Sequence, residues 1–470
     1  MQIFLQGKLI GIEPFVLAPS GQAGEAVAVG RSLWVSLLAE VLPRALLSEI
    51  GLAQILLGSS GGGGFLLVLP AESLPAAGEF LERAAAAVSA RSEGRLSLAW
   101  AATENLGDWI VVRRRLTDEM ARRLNPERAA TAEGAFAPFD AVESNSDAWF
   151  ADFGARVRAA DCFGWSPEAP DEVLTSPGKY RWPAGSGAGT IPLARHAALS
   201  GDGASPAPLD ALASRASGRR AWGVLRGDVD AFGVRLRRLG SIEEHVQLSV
   251  LFKQFFAGEL EVACSLPEYW RKVSILYSGG DDFAVYGSWD ALLLLAREVQ
   301  RLFQRFAEAH LETLPGPEAK TITMSLEVAS EIDTPFAFVY EEAGRNLDAA
   351  KTEGKDCLHV FGKTLEWRQL THAGTLKDTL LRMVRDFGCP PEFLEELGGF
   401  YREKPSQTRP DRPWRYHRRL GSALGAHKDR ELQKLQASLI GDMIGRSPTQ
   451  VKLRPAGLVA VAWARMSMDA

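Results

Sequence analysis

Two carboxylates side by side in a tight turn are the strongest chemical signal in the sequence, in Ser278-Gly279-Gly280-Asp281-Asp282-Phe283. Adjacent like charges repel, so the pair gains from a cation. Gly279 and Gly280 lack a Cβ, which lets the phosphates of a nucleotide approach the backbone closely. The turn therefore reads as a seat for a metal-bound polyphosphate. A third acidic ligand is expected from Asp228, at the end of the apolar run that starts at Trp222, with the carbonyl of Val229 as one more oxygen. Donors that are all hard oxygens favour Mg²⁺ or Mn²⁺ over zinc. Two such ions would lower the pKa of an attacking 3′-hydroxyl and stabilise departing pyrophosphate, which is the chemistry of a nucleotidyltransferase.

Other residues support this set. Asp230 stands two positions after Asp228 and, if the strand continues, points to the same side, so it is given a supporting role at the nucleotide. Lys351 and Lys355 lie four apart at the end of a helix beginning near Glu341. They would present two ammonium groups to β- and γ-phosphates if the helix survives Gly354. Alone, the lysines are better explained by a solvated helix C-terminus, and the turn is explained equally by an Asp-rich hairpin with no ligand. Their combination with Asp228 favours chemistry.

The elements that must position these residues occur twice. Ser60-Gly61-Gly62-Gly63-Gly64-Phe65 matches the second turn in form, and both lie between short apolar strands, as in β-hairpins. Ahead of each comes a strand ending in Gly7-Lys8 or Gly227-Asp228 and then a helical stretch, over about 30–49 or 242–260. Lys8 precedes Gly63 by 55 positions and Asp228 precedes Asp281 by 53. After each hairpin a helix (76–90, 289–311) and a strand (96–101, 321–329) are expected. The order β-α-β-β-α-β predicts a ferredoxin-like palm. The expected class is α+β: a degenerate palm over 1–135, a loop-rich helical connector over 136–217, a catalytic palm over 218–370 and a C-terminal helical bundle over 371–470. Bundle helices are expected at 376–387, 415–424, 429–444 and 455–468.

The first copy has lost the chemistry. Lys8 replaces Asp228, Ile10 replaces Asp230, and Gly63 and Gly64 replace Asp281 and Asp282. It should bind no catalytic metal, yet its turn, through Ser60 and Gly61, would still accept a second nucleotide. The plainer alternative is a packing partner only.

Bulk properties fit this picture. The formal charge of -5 gives no sign of a nucleic-acid binder, although 17 Lys and Arg against 11 Asp and Glu make the segment from Thr371 onward basic. The four cysteines, Cys162, Cys264, Cys357 and Cys389, form no Cys-x-x-Cys pair, which argues against a zinc ribbon. With no signal-peptide pattern and no 18-residue apolar run, a reducing cytoplasmic setting with no membrane contact is expected.

At these motifs the sequence resembles the large, polymerase/cyclase-like subunit of type III CRISPR RNA-guided effector complexes, of the Csm kind. The likeness is carried by Gly11-Ile12-Glu13-Pro14-Phe15, Gly30-Arg31-Ser32-Leu33-Trp34 with Leu38-Ala39-Glu40, Gly223 to Asp230, the Ser278 to Phe283 turn, Ala350-Lys351 and Trp414 to Arg419. The resemblance implies synthesis of cyclic oligoadenylate messengers from ATP in antiviral defence, switched on when the guide RNA pairs with target RNA. It implies other Csm subunits as partners. Asp228, Asp281 and Asp282 would carry metals, Ser278 to Gly280 would contact nucleotide, and Lys351 with Lys355 would hold the triphosphate. Two departures stand out. No His-Asp dipeptide occurs, so the family's DNase activity is not expected, and the connector holds only Cys162 where many members carry a four-cysteine zinc element. Rival functions are a diguanylate-cyclase-like enzyme, AMP transfer to another acceptor such as S-adenosylmethionine, and a non-catalytic ribonucleoprotein scaffold.

Overall fold

The repeat suggested by the glycine turns is a repeat of folded structure. The computed structural model describes residues 1–18, 24–131, 145–175, 178–185, 187, 189–201, 203, 205–402, 418–419, 421–422, 429–443 and 454–468. In the first unit β1 (Gln2–Ile10) is followed by a long helix α1 (Gly24–Glu49), the hairpin β2 (Leu57–Gly61) and β3 (Gly64–Pro70), helix α2 (Leu74–Arg91) and β4 (Ser97–Glu104). The sheet order β2-β3-β1-β4 is the ferredoxin-like arrangement. The chain then runs through α3 (Trp109–Thr131), α4 (Asn145–Ala159) and a hairpin of β5 (Cys162–Trp165) with β6 (Tyr180–Pro183).

The second unit repeats the path with β7 (Trp222–Val229), α5 (Ile242–Gln254), the hairpin β8 (Val273–Gly279) and β9 (Asp282–Ser288), α6 (Trp289–His310) and β10 (Ile322–Val328). Then α7 (Phe336–Glu353) leads to β11 (Cys357–Val360) and β12 (Lys363–Glu366), which extend the sheet to β12-β11-β10-β7-β9-β8. The last helices are α8 (Trp367–Arg385), α9 (Glu392–Arg402), α10 (Arg430–Met443) and α11 (Pro455–Met468). The fold is α+β, two ferredoxin-like palms with C-terminal helices packed against the second.

The equivalence of the palms reaches single contacts. A Cβ on Gly7 would lie 2.2 Å from the Phe65 ring, and one on Gly227 would lie 2.3 Å from the Phe283 ring. Leu9 N donates to Gly63 O at 2.7 Å, and Val229 N donates to Asp281 O at 2.9 Å. Each palm thus presses a hairpin phenylalanine onto a glycine one residue before the position of interest, and only glycine leaves room for that ring.

Several expectations need correction. Helix α1 starts six residues before the expected Gly30. The helix expected to end near Leu260 passes through a π-helical turn at Phe255–Glu259 and ends at Cys264, with Phe255 and Phe256 turned into the core. Helix α8 begins at Trp367, held by a reciprocal capping box between Glu366 and Gln369, so the boundary drawn at 370/371 cuts a helix. The loop-rich connector supplies α4, which lies so close on α1 that a Cβ on Gly30 would meet the Phe150 carbonyl at 1.8 Å. The run 404–413, the segment 414–417 and most of the helix expected at 415–424 lie outside the described residues.

Helix α1 is, among the described residues, the one helix long and apolar enough to cross a membrane, although charged residues interrupt it. In the fold 89% of its most apolar window is buried, so it is a core helix. One hydrophobic core joins the first palm and α1 to the inner face of the second sheet through Trp222, Val224 and Tyr286, and to α7 through Tyr340. The outer face packs under α6 and the C-terminal helices in another. Because the first core is shared, burial of side chains such as Trp34 and Trp222, each contributing about 1.5–3 kcal/mol, also fixes how the two palms face each other.

Candidate active site

Strand β7 delivers Asp228 to the end of the sheet beside the acidic turn. In register, Asp228 pairs with Asp282 on β9 and with Thr323 on β10. Directly opposed residues share a face, so Asp228 and Asp282 stand on the same side of the sheet, while Asp281 caps the turn. The same register places Lys8 opposite Gly64 in the first palm. The expected substitution of acids by Lys8, Gly63 and Gly64 is therefore a substitution at equivalent points in space.

The two turns meet. A Cβ on Gly280 would sit 3.7 Å from the Gly62 Cα, and one on Gly279 would sit 3.5 Å from the Gly62 nitrogen. Gly62 and Gly280 have φ of 58° and 67°, a backbone region that favours glycine. The turns thus pack in van der Waals contact, backbone against backbone. Around it opens a cleft of about 660 Å³, lined by Asp281 and Asp282 on one side, Lys8 and Ser60 on the other, and apolar walls including Ile12 and Phe252. That volume lies within the range of small-molecule sites.

Burial and mutual repulsion set the electrostatics. Asp282 is pushed up to about 7, first by burial and then by the charges of Asp281 and Asp228. Asp281 is pushed up to about 6 by burial and by Asp228. Burial also raises Asp228, but Lys351, ion-paired with it, opposes the rise. Asp282 further interacts with the Tyr277 hydroxyl and the Arg226 guanidinium. Arg226 lies 4.0 Å over the Tyr340 ring, and the Tyr340 hydroxyl donates to Tyr277 at 3.4 Å.

The expected three-carboxylate metal cage is only partly assembled. Among the described residues no three His, Cys, Asp or Glu side chains are grouped closely enough to hold an ion. Asp228 and Asp281 feel each other's charge and that of Lys351, which is ion-paired with Asp228, whereas Asp282 is engaged by Tyr277. The donor chemistry nevertheless fits a hard cation: oxygen donors only, each raised by burial and so each favoured by added positive charge.

Three further residues are not where sequence reasoning put them. Asp230 does not reach the cleft. It is buried and accepts hydrogen bonds from the hydroxyls of Thr321 at 2.7 Å and Thr323 at 2.8 Å and from the Asp356 amide at 3.0 Å. The strand ends at Val229, so the two-residue periodicity fails there. Lys355 is past the end of α7, in a left-handed conformation with φ of 56°, and lines a separate polar cavity with Glu366 and Arg368. Helix periodicity with Lys351 stops at Glu353. Ser278 donates its hydroxyl to Phe256 O at 2.6 Å, so only its backbone is available to a nucleotide.

Ser60 belongs to a cluster that motif reasoning missed. Glu40 on α1 is buried and receives Arg44 at 2.8 Å, Lys253 of α5 at 2.6 Å and the Ser60 hydroxyl at 2.9 Å. Lys253 also donates to Ser60 at 2.8 Å. Burial alone would raise the Glu40 pKa, but Lys253 and Arg44 outweigh it and hold the carboxylate ionised. The cluster ties the hairpin of the first palm to a helix of the second. An acid with a basic residue four positions on, Glu40 and Arg44, inside the apolar stretch from Leu33 to Leu47 was the available signal. Glu40→Ala strands a mostly buried ammonium, so chemical denaturation is expected to show a loss of about 3 kcal/mol. Glu40→Gln, which keeps an acceptor for Ser60, should lose less.

A second prediction concerns pH. Folded-state values near 6 and 7, above the ordinary 3.8, mean that protonated Asp281 and Asp282 favour the fold. Their contribution is complete below about pH 4 and is lost as pH rises through 6 and 7. A divalent cation must displace those protons. Calorimetric scans are therefore expected to show a larger Mg²⁺-induced rise in melting temperature at pH 8 than at pH 5.5, and no difference in Asp281→Asn plus Asp282→Asn.

Comparison with known proteins adds a second line of support. Residues 221–359 match the family model for the second palm domain of Cas10/Cmr2. Over 172 residues the chain is 27% identical to the Cas10/Csm1 single-strand-specific deoxyribonuclease of subtype III-A from Thermococcus onnurineus (strain NA1), covering 34% of this chain and 21% of that protein. It is 31% identical over 184 residues to the Cas10/Csm1 protein of the same description from Methanocaldococcus jannaschii, covering 34% and 22%. These alignments span about a fifth of the length of the curated relatives. In structure, the chain resembles Csm1 of T. onnurineus with a TM-score of 0.72 at 18% identity, over 99% of this chain and 69% of that one. Csm1-Csm4 cassettes in complex with one ATP and with cA4 give TM-scores of 0.70 and 0.68 at 19% and 18% identity, over 99% of this chain and 70% of each.

Proposed function

We propose that this chain, a homologue of the Cas10/Csm1 large subunits of type III-A CRISPR systems, is a nucleotidyltransferase that makes cyclic oligoadenylates from ATP. The observation that carries the reading is the pairing of two register-matched palms, one with Asp228, Asp281 and Asp282, the other with Lys8, Gly63 and Gly64, around one cleft. Two nucleotides facing each other across such a cleft are held in different chemical settings, as donor and acceptor must be. Crystallised Csm1-Csm4 cassettes of the same fold hold ATP and cA4.

The donor triphosphate lies along Gly279 and Gly280, whose missing side chains let it approach the backbone. Lys351, half-buried beside Asp228, turns from that carboxylate to the β- and γ-phosphates. The backbone of Ser60 and Gly61 receives the acceptor, whose 3′-oxygen bonds to the donor α-phosphorus as the bond to pyrophosphate breaks. Mg²⁺ or Mn²⁺ held by Asp228, Asp281 and the Val229 carbonyl, with Asp282 nearby, would supply positive charge to the phosphates and the attacking oxygen. Orientation and charge, rather than covalent chemistry, are what the protein contributes.

The relatives are described as deoxyribonucleases, but the alignments cover about a third of this chain and about a fifth of theirs, and that activity is not part of the proposal. Other Csm subunits, the CRISPR guide RNA and target RNA are the proposed partners, in the cytoplasm. Mass spectrometry of products formed from ATP and Mg²⁺ or Mn²⁺ by the assembled complex with guide and target RNA tests the proposal. Cyclic oligoadenylates support it; their absence, or equal use of GTP, contradicts it.

A further inference from the structure

The cation that replaces Asp228 in the first palm stands in a built setting. Lys8 lines the inter-palm cleft beside the glycine turn and pairs in register with Gly64. The other cations of this part of the cleft are committed: Lys253 to Glu40 at 2.6 Å, and Arg226 to Glu13 at 3.3 Å and to the Tyr340 ring. Lys8 makes no salt bridge among the described residues.

Its glycine neighbours are fixed as well. A Cβ on Gly63 would lie 2.3 Å from Ile12 Cδ1, and Gly63 has φ of 73°, so an acid cannot return to the position of Asp281 without displacing Ile12. The first palm therefore has a lysine and two glycines where the second has three acids, which puts a positive charge beside a glycine turn. An ammonium placed where the other palm recruits a metal satisfies the same phosphate oxygens without one.

We propose that Lys8 binds the phosphates of the acceptor nucleotide directly, making the first-palm half of the cleft a metal-independent triphosphate site. The inference rests on the reading of the cleft as a two-nucleotide site and names the ligand chemistry of its second half. Lys8 acts as a binding residue whose charge takes the place of a divalent ion, so the two halves differ in their need for metal.

Equilibrium binding of ATP to the full chain, with Mg²⁺ and with excess EDTA, tests this. Two ATP per chain are expected with Mg²⁺ and one with EDTA. Lys8→Ala should weaken the EDTA-resistant binding by about tenfold or more, in line with one charge-assisted hydrogen bond, and Lys8→Arg should restore it. Adenosine, which lacks phosphates, should bind wild type and Lys8→Ala equally. Loss of all ATP binding in EDTA, or EDTA-resistant binding that Lys8→Ala leaves unchanged, overturns the proposal. The product assay separates the two claims: a chain that makes no oligoadenylate but shows Lys8-dependent binding in EDTA refutes the proposed reaction and keeps this site.

Discussion

Asp228→Ala is expected to lower oligoadenylate formation by at least about a hundredfold, the scale seen when a preorganised electrostatic group is removed from a transition state, without loss of fold. Asp228 is raised by burial and by like charges, so its removal relieves Asp281 and Asp282 of a repelling neighbour. The cost is a less well paired Lys351, and that side chain is 24% exposed, so water compensates. The melting temperature should therefore stay level or rise while activity disappears, as expected where a strained site exchanges stability for function. Product assays and thermal scans on the same preparation check both halves. A variant that loses activity only because it unfolds would show the opposite thermal change.

Lys351→Met is expected to move two readouts in opposite directions. With the competing ammonium gone, Asp228 gains more from a divalent ion, so Mg²⁺ or Mn²⁺ should bind the nucleotide-free protein more tightly. The triphosphate loses a charge-assisted contact, and kcat/KM for ATP should fall by about tenfold to a hundredfold. Metal titration followed by steady-state kinetics measures both. A lysine that merely neutralises Asp228 for stability would change the first and leave the second untouched.

Much of the site was legible because its signals are local. The palms could be read from two strand-turn-strand patterns at nearly equal spacing, and the lost acids of the first copy from aligning them, because register in a hairpin follows from the turn itself. The contacts at Gly7 with Phe65 and Gly227 with Phe283 make that alignment physical. What failed depended on where an element stops. Asp230 was placed by continuing a strand that ends one residue earlier, and Lys355 by continuing a helix that ends two residues earlier. Tertiary hydrogen bonds to Thr321, Thr323 and the Asp356 amide decide the first case, and no pattern within β7 encodes them.

Residues joined only by the three-dimensional arrangement were invisible for a related reason. Glu40 and Lys253 are 213 positions apart and meet because the two palms share a core. Tyr277, in the strand before the acidic turn, and Tyr340, just ahead of the helix expected from Glu341, carry no sequence signal that links them to Asp282, yet the fold brings both to it. Ser60 was assigned to a nucleotide from its place in the turn, and its hydroxyl is engaged by the same inter-palm ion pair. Ser60 and Gly61 both line the cleft.

Anomalous scattering from Mn²⁺ in crystals of the protein soaked with a non-hydrolysable ATP analogue tests the division between the palms most directly. A peak is expected beside Asp228 and Asp281 and none beside Lys8 and Gly63. A peak in the first palm, or density for the analogue in the second palm with no metal beside Asp228, would contradict it.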